Sequence, residues 1–248
     1  MERIYTIPVN EALEKVTDGG VSACPFCMLY NKLESDELDL ILGASMMEPD
    51  VRLKTNELGF CDTHLSMMFA GGKRLPLALI LESHLDTTAE KMDGSASTLF
   101  AQKTADGVVK KLEHLSGSCY VCDRIEYNFK NMIETAVLLW QQEEKIRERM
   151  RNVPFFCLKH YPRLLKAGRE RLSRREFAEF YSDVSGVEDR YFTKLREDVS
   201  FFCKKFDYRY TDEPWGDSKD APERAQKFLS GNLHVREKGD RPAADTLG

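Results

Sequence analysis

Eight residues of this chain combine the side-chain types and the spacing needed to hold metal ions. Cys24-Pro25-Phe26-Cys27 and Cys61-Asp62-Thr63-His64 recur as Cys119-Tyr120-Val121-Cys122 and Cys157-Leu158-Lys159-His160. The CxxC pairs lie 95 residues apart (24 to 119, 27 to 122) and the CxxH pairs 96 apart (61 to 157, 64 to 160). Thiolate sulfur and imidazole nitrogen are preferred donors to Zn²⁺, and three Cys with one His form one of its closed tetrahedral sets. The pattern therefore predicts two Cys₃His sites and two zinc ions as the cofactor. One pair alone would be a weak signal, whereas four pairs in repeated order are a specific one.

Other chemistries use the same residue types. Cys24-Pro25-Phe26-Cys27 looks like the dithiol motif of glutaredoxins, which follows a strand in a βαβ unit. Here the preceding Asn10 to Val16 reads as helix, no alternating strands follow, and Cys119-Tyr120-Val121-Cys122 lacks the proline. Dithiol catalysis is therefore disfavoured, and iron–sulfur ligation ranks below zinc. Scattered buried thiols, though common in cores, do not explain four pairs in register.

The elements that must position these ligands read almost throughout as helix. From Asp123 to Trp140 the residues Ile125, Phe129, Met132, Ile133, Ala136, Val137 and Trp140 form a helical stripe. Glu143 and Arg147 would break that face, so the helix should end near Gln142. Glu48-Pro49 stands 95 residues before Glu143-Glu144, and proline stops a preceding helix while opening a new one. A break is thus expected at the same place in both halves. Gly71-Gly72 reads as a terminator, and Gly168 stands 96 residues after Gly72. Further helices are expected over Leu75 to Met92, Thr98 to Leu115, Ser173 to Tyr208 and Ala221 to Leu229. The fourth region carries Val187, Tyr191, Leu195, Val199, Phe202 and Phe206 on one side. The charged last fifteen or so residues read as a frayed tail.

The expected fold is all-α. Two related helical halves, an internal duplication, occupy 1–100 and 101–210, with a C-terminal loop, short helix and tail at 211–248. A CxxC at a helix start aims both sulfurs at one ion, and the exposed amides there favour thiolate. A CxxH puts its two ligands about one turn apart. Each half can then close its own site if the return from the first helix is partly extended. The alternative is cross-bracing, with Cys24 and Cys27 meeting Cys157 and His160, and Cys61 and His64 meeting Cys119 and Cys122. Closure within each half is the favoured expectation.

Composition sets the class. With 42% hydrophobic and 31% charged residues the chain reads as an ordinary globular protein. Its first thirty residues lack the basic and apolar regions of a secretory leader, and its longest apolar run, Leu75 to Leu81, is too short to span a bilayer. A cytoplasmic location follows by default, where cysteines serve metal or redox chemistry rather than disulfides. The formal charge of −5 becomes −7 once six thiolates and two Zn²⁺ are counted (−5 − 6 + 4). That sign weighs against nonspecific nucleic-acid binding. One interval departs from it: Lys145 to Arg175 holds eleven Lys or Arg against two Glu and includes Phe155, Phe156 and Tyr161. Basic residues interleaved with aromatics are a nucleic-acid pattern. The favoured alternative is a helical surface facing the acidic first sixty residues.

Other candidates receive structural readings. Cys203 falls on an apolar helical face and is expected to be a packed core thiol. His84 and His114 lack partners at ligand spacing, and His234 lies near the tail. The polar stretch Glu48 to Asn56 reads as a capped turn, or as the edge of a ligand pocket in a minor, enzymatic alternative. No metalloprotease, phosphate-loop, dinucleotide or di-iron motif is present.

At Met47-Glu48-Pro49-Asp50-Val51-Arg52, Gly59-Phe60-Cys61-x-x-His64, Phe156-Cys157-Leu158-Lys159-His160 and Pro214-Trp215-Gly216-Asp217, the chain resembles a bacterial cytosolic family catalogued as a domain of unknown function. The resemblance covers all but the tail and implies a cellular setting without naming a reaction. It also implies Asp-Pro where this sequence has Glu143-Glu144, which removes the proline stop from the second half. The functional expectation is a noncatalytic zinc-stabilised scaffold, or a module binding a protein or small molecule. The alternative is a thiol redox sensor in which oxidation of Cys24, Cys27, Cys119 or Cys122 ejects zinc.

Overall fold

The computed structural model describes residues 3–93 and 101–235. Among the described residues every regular element is helical and no strand occurs, in agreement with the all-α expectation. In chain order the α-helices are α1 (Thr6–Thr17), α2 (Pro25–Ile41), α3 (Pro49–Leu58), α4 (Asp62–Ala70), α5 (Arg74–Met92), α6 (Ala101–Gly117), α7 (Tyr120–Gln142), α8 (Glu144–Asn152), α9 (Tyr161–Arg171), α10 (Arg174–Lys204) and α11 (Ala221–Ser230). Tight 3₁₀ turns punctuate them, among them Ala44–Met47 and Gly216–Ser218.

Local chemistry accounts for most of these boundaries. Pro25 and Pro49 open α2 and α3, where a missing N–H costs nothing. Glu48 is extended before α3 (φ −70°, ψ 120°), and Glu143 is extended between α7 and α8 (φ −125°, ψ 112°). The break therefore falls where expected in both segments, and in the second it forms without proline. What drives it there is burial: α8 turns Ile146 and Met150 inward, at 1% and 0% exposure. Ser173 and Glu176 cap α10 reciprocally, a box that satisfies two otherwise orphaned amides.

The chain clusters into two compact units. One gathers Met1–Lys32 with Asn128–Val235, and the other is built on Leu33–Tyr127. The boundaries between the units fall within α2 and α7. In the first unit the predicted stripe of α7 is the spine of the core: Phe129, Met132, Ile133, Ala136, Val137 and Trp140 are all buried. Phe129 meets Phe26 edge to face at 6.5 Å, and Trp140 meets Phe180 at 5.0 Å. Trp140 also donates its indole N–H to Asp183 at 3.0 Å, so its polar atom is satisfied within the core. Each large apolar side chain so buried stabilises the fold by about 1.5–3 kcal/mol. In the second unit α3 packs on α5, with Ser83 donating to the Asn56 side chain at 3.0 Å and Lys91 to the Asn56 and Glu57 carbonyls. Gly59 (φ 62°) links α3 to the Cys61 turn, and a Cβ there would lie 3.1 Å from both His84 and Leu115.

Two single-residue expectations change, at Cys203 and Phe206. Gly168, unlike the Gly71-Gly72 pair, sits inside α9, where its lack of a side chain lets the Phe180 ring approach. Cys203 is exposed rather than packed, because the buried face of α10 runs through Phe180, Val184, Val187, Leu195 and Asp198 and has rotated past it. Phe206 lies beyond the end of that helix, at 78% exposure. The expected helix start at Thr98 to Phe100 and nearly all of the expected tail lie outside the described residues.

Candidate metal centres

The eight predicted ligands meet in two clusters, and the pairing corrects the favoured expectation. Cys24 and Cys27 join Cys157 and His160, while Cys61 and His64 join Cys119 and Cys122. Closure within each half fails because the return segment is α3, a helix of 10 residues rather than an extended chain. At 1.5 Å per residue it covers about 15 Å, against about 25 Å for the 17 residues of α2.

The first cluster lies in the first unit. Cys24 and Cys27 flank the opening turn of α2, and Cys157 with His160 forms the turn that leads into α9. The Nδ1 atom of His160 stands 3.7 Å from the Cys24 sulfur, 3.5 Å from that of Cys27 and 3.2 Å from that of Cys157. The sulfurs of Cys27 and Cys157 are 3.5 Å apart. The second cluster lies in the second unit, with Cys61 at the N-cap of α4, His64 in its first turn, and Cys119 and Cys122 at the start of α7. His64 Nδ1 is 3.2 Å from Cys61, 3.3 Å from Cys119 and 3.4 Å from Cys122, and the Cys61 and Cys122 sulfurs are 3.8 Å apart. A tetrahedron with zinc–sulfur bonds of ~2.3 Å and zinc–nitrogen bonds of ~2.0–2.1 Å has edges of about 3.8 Å between sulfurs and about 3.5 Å between sulfur and nitrogen. The four distances given for each cluster lie within about 0.3 Å of these edges, and the cysteines are free thiols rather than disulfides.

The electrostatics suit a cation. Burial, then repulsion by neighbouring sulfurs, pushes the Cys24 thiol up. The Cys157 sulfur drives Cys27 up to about 12, and burial followed by Cys119 raises Cys122. One sulfur in each cluster goes the other way. Cys157 is driven down by its contacts with Cys24 and Cys27, and then by His160. Burial opposes the Cys119 thiolate, yet its hydrogen bond with His64 outweighs this and brings it to about 6. Burial likewise works against the His64 cation, but Cys119 and Glu34 raise it to about 10. The second cluster thus draws positive charge toward its packed sulfurs, and in both a divalent ion would stand in place of the thiol protons.

The surroundings of the two histidines differ. His64 Nε2 lies 3.0 Å from a carboxylate oxygen of Glu34, which is 1% exposed. Such a carboxylate fixes the ring and strengthens its ligand nitrogen. The residue 95 positions after Glu34 is Phe129, whose ring centroid lies 5.0 Å from that of His160, with Phe26 at 6.3 Å. Sequence reasoning missed Glu34; its signal was an acid two helical turns after Cys27. It also missed Glu188, a buried carboxylate that accepts the Phe156 N–H at 2.6 Å beside Cys157.

His84 rests edge-on to Phe60 at 6.2 Å, His114 is exposed, and His234 meets the Tyr30 ring edge-on at 5.8 Å. In the basic interval Arg149 pairs with Asp18 and Glu14, Arg151 with Asp183, Arg171 with Glu134, and Arg147 and Arg175 with Glu179. At least five of its eleven cations are therefore engaged within the protein. No helix among the described residues is long and apolar enough to cross a membrane.

An all-helical chain carrying two Cys₃His clusters defines a class of potential metal-binding proteins. Within it, this chain belongs to the family of unknown function DUF6062, whose model matches residues 1–236. No curated protein and no solved structure matches it significantly.

Proposed function

We propose that this protein holds two structural zinc ions, one in each cluster, and acts as a noncatalytic scaffold for a protein or small-molecule partner in a reducing compartment. The observation that carries the reading is the agreement of both sets of ligand distances with the edges of a zinc tetrahedron. In the first centre Cys24, Cys27, Cys157 and His160 would hold the ion, and in the second Cys61, His64, Cys119 and Cys122. Zinc there supplies cross-linking energy between segments distant in sequence. Four protein ligands leave no position for water or substrate, which separates a structural centre from a hydrolytic one. The exchange of ligand pairs between repeats is consistent with an internal duplication whose halves fold together. A nucleic acid is the weaker candidate partner, since much of the basic interval is engaged in ion pairs.

Metal analysis and circular dichroism test this. Protein purified without added chelator should carry close to two zinc ions and lose helical signal when a strong chelator removes them. Metal-free protein with an unchanged spectrum would overturn the reading.

A further inference from the structure

We propose that Cys61 and Cys122 form a thiol-modification site, at which a peroxide oxidises the pair to a disulfide and frees the metal of the second centre while the first stays reduced. This rests on the zinc reading above and assigns to one centre a regulation that the other lacks.

Access separates the two. In the first centre every ligand is buried: Cys24, Cys27 and His160 are each 2% exposed and Cys157 0%. The chain after α11 seals it. Leu158 N–H donates to the Phe228 carbonyl at 2.8 Å, and Asn232 N–H reaches the Cys27 sulfur at 3.4 Å. Asn31 holds the Asn232 carbonyl at 2.8 Å. Gly231 (φ 75°) brings backbone so close that a Cβ there would sit 3.5 Å from the Cys157 sulfur. In the second centre His64 and Cys119 are buried, at 1% and 4%, but Cys61 and Cys122 are only half-buried. These two reach solvent, and their sulfurs are already 3.8 Å apart. Reactivity toward oxidants follows thiolate character and exposure together. Zinc ligation makes all six sulfurs thiolates, so exposure decides between them.

The chemistry balances within the pair. One thiolate attacks the peroxide O–O bond, forming a sulfenic acid and releasing hydroxide (water for hydrogen peroxide, after protonation). The second thiolate attacks the sulfenic sulfur, forming the S–S bond and expelling a second hydroxide. Two electrons leave the pair, the peroxide is reduced, and two protons from solvent complete the products. A disulfide of ~2.05 Å supplies no thiolate to the ion, so the centre keeps only His64 and Cys119 as donors.

The test uses the full chain with Cys203→Ser, which removes an exposed thiol outside the clusters. Zinc content is measured first; fewer than two ions overturns the zinc reading, and this proposal with it. Hydrogen peroxide is then added in the presence of a chromophoric zinc indicator, and disulfides are mapped by mass spectrometry. The expected result is one zinc equivalent released roughly tenfold or more faster than the second, with Cys61 joined to Cys122 and Cys24, Cys27 and Cys157 still reduced. Simultaneous loss of both ions, earlier oxidation of the first centre, or retention of both ions overturns the proposal while leaving the zinc reading standing.

Discussion

Replacing Glu188 with Gln should make stability depend less on pH. Glu188 lies on α10 at 9% exposure and accepts the Phe156 amide at 2.6 Å. Burial pushes its carboxyl up to about 7, with Cys157 and Asp189 adding repulsion and the Phe156 bond opposing them. The folded protein therefore binds this proton more tightly than the unfolded chain does. That contribution is fully present below the ordinary value of 4.5 and is lost as pH rises through about 7. The rise sets an upper bound of about 3.4 kcal/mol, and residual solvation of the carboxylate reduces it to about 1–2 kcal/mol. Glu188→Gln keeps an oxygen for the Phe156 N–H and carries no charge at any pH. Relative to the native protein, the variant should gain about 1–2 kcal/mol between pH 5 and pH 8. Urea unfolding at matched metal content over that range measures it, because other titrating groups cancel in the difference. A constant offset between the two proteins across the range would refute the reasoning.

Two further substitutions probe the centres and the core. Glu34→Gln should weaken zinc at the centre built on Cys61 and His64 by roughly 10–100-fold and leave the aromatic-backed centre of His160 unchanged; equal weakening of both in a chelator competition would contradict the role given to Glu34. Gly168→Ala gains about 1 kcal/mol of helix propensity, but its Cβ would stand 2.6 Å from Phe180, a fully buried ring held by Trp140. Overpacking of about 1–3 kcal/mol should prevail, so a lowered thermal midpoint is expected and an unchanged or raised one would show that the ring can yield.

The eight residues that cluster were legible because coordination chemistry restricts both residue type and local spacing, and both survive in the linear chain. The α7 stripe and the break before Glu144 were legible for a similar reason, since a helix repeats its exposure every 3.6 residues. Which pair meets which was not, because local spacing says nothing about partners more than a hundred residues away. It turned on whether Pro49–Leu58 ran as helix or as extended chain, and that polar segment folds as helix because it packs on α5. Gly168, Cys203 and Glu34 share this character: each owes its role to a residue on another helix, or to how far a helix has turned by the time it is reached. The exchange itself carries a kinetic consequence. Cys27 and Cys157 are separated by 130 residues, against 34 from Cys27 to Cys61. The first centre therefore cannot assemble from Cys24 and Cys27 until the segment around His160 is present, whereas the second needs only Leu33–Tyr127. Long-range closure of this kind slows folding, so the first unit, with its buried and sealed centre, should be the later of the two to form.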